Sequence, residues 1–265
     1  MASPLSPDEL AELARARALL ESPGFAMRVA DLAGAPVEAL LRRLPSGANA
    51  LIGKATGSAL DRALGWALDT LADPSARPPS DGLHRALLLA SGAAGGALGL
   101  PGLLVELPVS TTLLLRTIAD HARAQGEDLR RPEGRLQCLT VFAYGTRADA
   151  DDRAETGYFA VRAALARLVG EAASFVAERG VAGAVAQRSA PALARLVSAI
   201  AERLGVTVAD KAAAQLVPLL GAAGGAAVNA LFLEHYRNTA WGHFTVRRLE
   251  RRHGAEAVRE AWNGG

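Results

Sequence analysis

The chain has 265 residues, half of them hydrophobic, with 29 basic against 27 acidic side chains and one cysteine. That length supports a large core, as one big domain or two small ones, and the balanced charge leaves any affinity for nucleic acid or membrane to local patches. The lone Cys138 excludes an intrachain disulfide and a multi-cysteine metal site.

The apolar content is mostly Ala, Leu and Val, with few aromatics, which biases the chain towards helix. The opening SPDEL predicts a helix with Ser6 as N-cap and Pro7 at its first position, running to about Leu20 before Pro23-Gly24. The absence of a basic n-region and an apolar h-region predicts that this is not a secretory signal. Further helices are expected over 25–44, interrupted at Gly34-Ala35-Pro36, and over 48–71. A Pro/Ser-rich linker spans 73–80, and Ser80-Asp81 caps an apolar segment over 83–98. Gly99, Pro101-Gly102 and Pro108 are expected to break that segment.

An amphipathic helix is expected over 109–125, ending at Gly126, then helices over 132–144 and 155–177 with a polar loop between them. Residues 180–189 read ambiguously. A helix follows over 191–204; Val206 to Val208 could be extended, with Asp210 capping the next apolar segment. A long helix over 229–253 and a short one over 255–262 close the chain. No run alternates with period two over strand length. The fold class is therefore all-α, a large multi-helix bundle. Its organisation reads as an N-terminal helical extension, 1–45, and a main helical domain, 46–265, or as one compact domain.

Two stretches lack any charge: 20 residues between Arg85 and Glu106, and 22 between Lys211 and Glu234. Each contains GAAGGA, at Gly92 to Ala97 and Gly221 to Ala226. Their length suffices to cross a bilayer, and their small-residue spacing suits packed membrane helices. Their Gly and Ala content favours a buried core hairpin, because only Leu, Ile, Phe and Val drive insertion, by roughly 0.3–0.6 kcal/mol each.

Several blocks carry a resemblance. Gly99-Leu100-Pro101 with VELPVSTTLLLRTIADHARAQGEDL (105–129), CLTVFAYG (138–145), ETGYFAVRAAL (155–165), KAAAQLVPLLGAAGGAAVN (211–229) and GHFTVRRLERRHG (242–254) resemble the EcsC family of bacterial proteins. The resemblance covers about 48–262. It implies an α-helical cytoplasmic protein whose founding relative is encoded beside an ABC transporter, and no agreed biochemical activity. One departure is Thr140, where the family often has an acid.

The long C-terminal helix separates two faces. Val228, Leu231, Phe232, His235, Tyr236, Thr239, Gly242, His243, Val246 and Leu249 share one side; Arg237, Trp241, Phe244, Arg248, Arg251 and Arg252 share the other. Arginines with aromatic rings suit an anionic membrane surface; packing against another helix, with the arginines paired to acids, accounts for them equally well. Two histidines eight residues apart without HExxH argue for core histidines over a metal site.

A catalytic alternative rests on Glu106, Arg116, Asp120, Arg162 and His243 converging in the bundle. If buried, Glu106 needs a cation, and Arg162 is one candidate; buried Asn229 needs hydrogen bonds. The acids Asp149, Asp151, Asp152 and Glu155 lack the order of an EF-hand loop. No P-loop, dinucleotide fingerprint or nucleophile elbow is present.

The function expected is thus a non-enzymatic, peripheral membrane-associated or membrane-protein-interacting helical protein on the inner face of the cell membrane, linked to an ABC transporter. A lipid or small-hydrophobe binder and a hydrolase are the alternatives. No cofactor, metal or nucleic acid is expected; the partner is an anionic membrane surface or a membrane transporter.

Overall fold

The computed structural model describes residues 5–21, 24–71, 100–146, 157–215 and 221–264. All secondary structure among them is helical, as the sequence predicts: α1 Pro7–Glu21, α2 Gly24–Ala33, α3 Val37–Leu41, α4 Ala48–Thr70, α5 Leu103–Ala124, α6 Pro132–Thr140, α7 Tyr158–Ala186, α8 Pro191–Gln215, α9 Gly221–His253 and α10 Ala255–Gly264. Short 3-10 turns precede α5 and follow α6. The expected linker, the 83–98 segment with the first GAAGGA, and the acidic loop lie outside the described residues.

Helix α4 is the centre. Ala55, Ala59, Ala63 and Ala67 recur every fourth residue and are fully buried, as are Leu60, Leu64 and Leu68. An alanine ridge lets neighbouring helices approach closely, and α4 packs against both α5 and α8. Helix α9 packs on α5 and on α1, and α10 closes over α9 and α1. Leu13, Ala16, Leu20, Phe25 and Val29 from the N-terminal helices join the same buried cluster as the rest of the chain.

Helix α1 starts with a reciprocal capping box. The Ser6 amide donates to Glu9 Oε2 at 2.8 Å, and the Glu9 amide donates to Ser6 Oγ at 3.3 Å. Helix α5 ends in a Schellman motif: Gly126 adopts φ +77°, and the Glu127 amide donates to Ala122 O at 2.9 Å.

Three expectations about local structure are corrected. Pro108 does not break the chain but lies buried inside α5. Its ring removes one helical hydrogen bond, yet the burial of Leu103, Leu107 and Leu114 carries the helix past it. The stretch Val206 to Val208 is helical and Asp210 lies inside α8 rather than at a helix start, since α8 continues to Gln215 with Thr207, Val208 and Asp210 buried; burial outweighs the few tenths of a kcal/mol that β-branching costs a helix. Of the second uncharged stretch, residues 212–215 close α8 and residues 221–233 open α9. The ambiguous 180–189 region continues α7 across a kink at Gly180.

Helices α1 and α9 cross at Gly242, where an added Cβ would lie 3.0 Å from Leu20 Cγ and 3.3 Å from Ala16 O. Gly242→Val should therefore destabilise the fold by about 1–3 kcal/mol through overpacking. The urea midpoint of the variant measures this, and an unchanged midpoint would contradict so close a crossing.

Candidate functional site

Two polar clusters are built into the helical core. The first joins three helices. Glu106, on the inner face of α5, accepts two hydrogen bonds from Lys211 Nζ of α8, at 2.9 and 2.8 Å. Asn229 of α9 donates to the same carboxylate at 2.9 Å. The side chains of Lys211 and Glu106 are 0% and 3% exposed, and Lys211 Nζ also lies 4.4 Å from the centre of the Phe232 ring. Burying two charges is tolerated only with this density of hydrogen bonds. The cation expected beside Glu106 is thus Lys211 and not Arg162.

The second cluster surrounds Tyr158 at the start of α7. Its hydroxyl meets His243 Nδ1 at 2.9 Å. Tyr144 tilts over the His243 ring at 4.8 Å, and Trp262 of α10 stacks on Tyr158 at 5.4 Å. Burial, followed by the charges of Arg162 and Arg247, holds His243 neutral, well below the usual imidazole range. Arg162 grips Glu250 with both terminal nitrogens. Arg247 grips Glu127, at 3.0 Å through Nε and 2.7 Å through Nη2, so the α5 cap positions the acid that this arginine needs.

A cavity of about 300 Å³ opens beside this cluster, between α6, α7 and α9. Its lining includes Arg162, Arg247, Gln137 and Tyr144. Burial raises the Tyr144 phenol above its usual pKa. Thr140 lines the same cavity and donates to the Gln137 main-chain carbonyl at 2.8 Å.

The five residues considered for catalysis divide between surroundings. Arg162 and His243 share Tyr158 as a neighbour. Glu106 belongs to the Lys211 cluster, Asp120 pairs with Arg123 at 3.0 Å, and Arg116 lies over Trp66. No group of three or more metal-ligating side chains occurs among the described residues.

The second face of α9 is largely covered. Phe244 is fully buried. Trp241 is half-buried beneath Arg15, whose guanidinium lies 4.5 Å from its ring centre. Arg248 binds Glu12 and Gln125, Arg251 binds Glu127 and the Gln125 carbonyl, and Arg252 binds Glu9 at 3.0 Å. Arg237 is exposed. His253 meets the same Glu9 carboxylate at 3.0 Å. Its hydrogen bond and the Ser6 amide lower the Glu9 pKa to about 2. This face seats α1 and the turn after α5. Sequence reasoning missed Lys211, Arg247, Glu127 and Glu9 as partners, although Lys211 and Glu106 are the charges that bound the two uncharged stretches.

The chain matches the family described as EcsC protein family over residues 16–249. The match starts within α1, earlier than the resemblance read from the sequence blocks. No curated protein and no solved structure matches the chain.

Proposed function

We propose, from the premise that this chain belongs to the EcsC protein family, that it is a non-enzymatic helical protein that attaches peripherally to a membrane through the outer face of α5. The observation that carries this reading is the exposure of Val105 and Val109, 70% and 43%, one turn apart on that helix. Leu104 and Leu113 are half-buried beside them. Residues 100–124 are long and apolar enough to cross a bilayer, but 61% of the most apolar window is buried within the protein. That combination suits a core helix with one greasy outer edge rather than a span. The sequence leading into α5 adds no charge back to Ala86. The α9 arginines contribute less than their number suggests, because Arg248, Arg251 and Arg252 already bind acids.

Co-sedimentation with vesicles of phosphatidylcholine, alone and mixed with phosphatidylglycerol, tests this at low and high salt. Binding to both vesicle types that resists salt is expected. Val105→Asp with Val109→Asp should weaken it by about tenfold or more, since each buried valine contributes about 1.5–3 kcal/mol. Both positions face outward, so the fold should survive, which circular dichroism checks. Wild-type protein that stays in the supernatant, or a double variant that pellets equally, would end this reading.

A second reading has its own observation. A groove of about 1000 Å³ between α1 and α10 is lined mainly by apolar side chains, among them Leu10, Leu13, Ala14 and Trp262, which suits a small hydrophobe. Quenching of tryptophan fluorescence by a spin-labelled fatty acid distinguishes it from attachment through α5.

A further inference from the structure

We propose that the cavity between α6, α7 and α9 binds a small organic acid, with the acidic group held between Arg162 and Arg247 and a short apolar tail on Leu165, Ala166 and Val169. The site is independent of membrane attachment.

The donor inventory carries the argument. A guanidinium has five N–H groups. Arg162 spends Nη1 and Nη2 on Glu250, and Arg247 spends Nε and Nη2 on Glu127. No hydrogen bond from Arg162 Nε or Arg247 Nη1 is made among the described residues. The Thr140 hydroxyl donates to the Gln137 main-chain carbonyl at 2.8 Å and more weakly to its side-chain oxygen at 3.3 Å, while the Gln137 amide nitrogen has no hydrogen bond among the described residues. Arg162, Arg247 and Gln137 line the same cavity. The two arginine side chains are only 20% and 14% exposed, and charge-assisted hydrogen bonds strengthen where water is scarce.

Burial and, at Arg247, the Arg162 charge oppose the two cations, but the carboxylates of Glu250 and Glu127 outweigh this and keep both arginines charged at the cavity. Their tight partners, Glu250 and Glu127, offset them from one side. Among the described residues the cavity lining itself holds one acid, Glu133, 53% exposed and 3.9 Å from Arg247. An incoming oxyanion would take the place of that long contact. Carboxylate and phosphate share the required geometry. A cavity of about 300 Å³ limits the ligand to a small one, and its apolar wall on α7 requires more than a bare ion.

Gly170 supplies a clean test. It lines the cavity from α7, and an added Cβ would meet nothing within 4 Å. Gly170→Leu should obstruct the cavity without crowding the core, and should favour the helix by replacing glycine. Glu133→Gln removes the competing acid and keeps the shape. The probes are butyrate, butyl phosphate and inorganic phosphate, titrated calorimetrically into the full chain. Butyrate or butyl phosphate should bind with Kd of about 1 mM or tighter, and the tighter of the two identifies the acidic group. Gly170→Leu should weaken binding about tenfold and Glu133→Gln should strengthen it about threefold, shifts of about 1.4 and 0.7 kcal/mol. The proposal is overturned if neither organic acid binds the wild type or Glu133→Gln. It is equally overturned if inorganic phosphate alone binds, or if Gly170→Leu, with unfolding midpoint at or above the wild-type value, binds as before.

Discussion

Lys211→Met should lower the stability of the fold by about 3–5 kcal/mol, the usual cost of leaving one charge of a buried pair without its partner. Glu106 would remain enclosed by α5, α8 and α9 with a hydrogen bond from Asn229 and no cation. Methionine retains most of the lysine stem, so packing is little changed and charge is the variable. The double change Glu106→Gln with Lys211→Met removes both charges and keeps an acceptor for Asn229. It should regain most of the loss, because a buried pair contributes little net stability over a neutral replacement. Urea unfolding followed by circular dichroism measures both variants. A single variant within about 1 kcal/mol of wild type, the scale of an exposed ion pair, would mean that water reaches the pair.

Stability should fall steadily as pH drops below about 6.5, where unfolded histidine begins to take up a proton. Burial, with the Arg28 charge, lowers His235 to about 3, and burial with Arg162 and Arg247 lowers His243. The sign follows from proton counting. Below the unfolded pKa the unfolded chain binds more protons than the folded one, so stability is complete above that pH and is lost as pH falls. The loss approaches about 1.4 kcal/mol per pH unit for each histidine, down to about pH 3 for His235. A second window opens below the ordinary carboxylate range. Glu9, lowered to about 2 by His253 and the Ser6 amide, contributes stability that is lost through that range. Glu127 contributes in the same direction, because its hydrogen bonds to Arg247 and the charges of Arg247 and Arg251 outweigh its burial. Chemical unfolding between pH 7.5 and about 4.5 isolates the histidines from the carboxylates. His235→Gln with His243→Gln should flatten the profile there, and a wild-type profile that is already flat would contradict their neutrality in the fold.

The cluster around Lys211 was half legible. An acid directly after a long uncharged run stands out, and the need for a buried cation follows from electrostatics. Which cation depends on how α5 and α8 lie against each other, across a separation of 105 residues. Arg162 is not that cation, because it pairs with Glu250 on the facing helix. The aromatic and arginine face of α9 shows the same limit. Helical periodicity sorts residues onto faces, and Arg248, Arg251 and Arg252 do share one side with Phe244. Periodicity says nothing about what covers that side. Glu9 and Glu12, more than two hundred residues away, cover it.

By itself the sequence determined the all-α class, the family and most helix ends, because these rest on short-range chemistry. Ser6 and Glu9 are three residues apart, Gly126 terminates its own helix, and Pro36 interrupts the 25–44 run locally. Only the tertiary structure decided that Pro108 and Val206 to Val208 stay helical, since burial against other helices overrode local preference. It alone brought Glu106 to Lys211, Arg247 to Glu127, and the unused donors of Arg162, Arg247 and Gln137 around one cavity. Those pairings arise from helices distant in the chain, and the energy that fixes them is the burial of both partners at once.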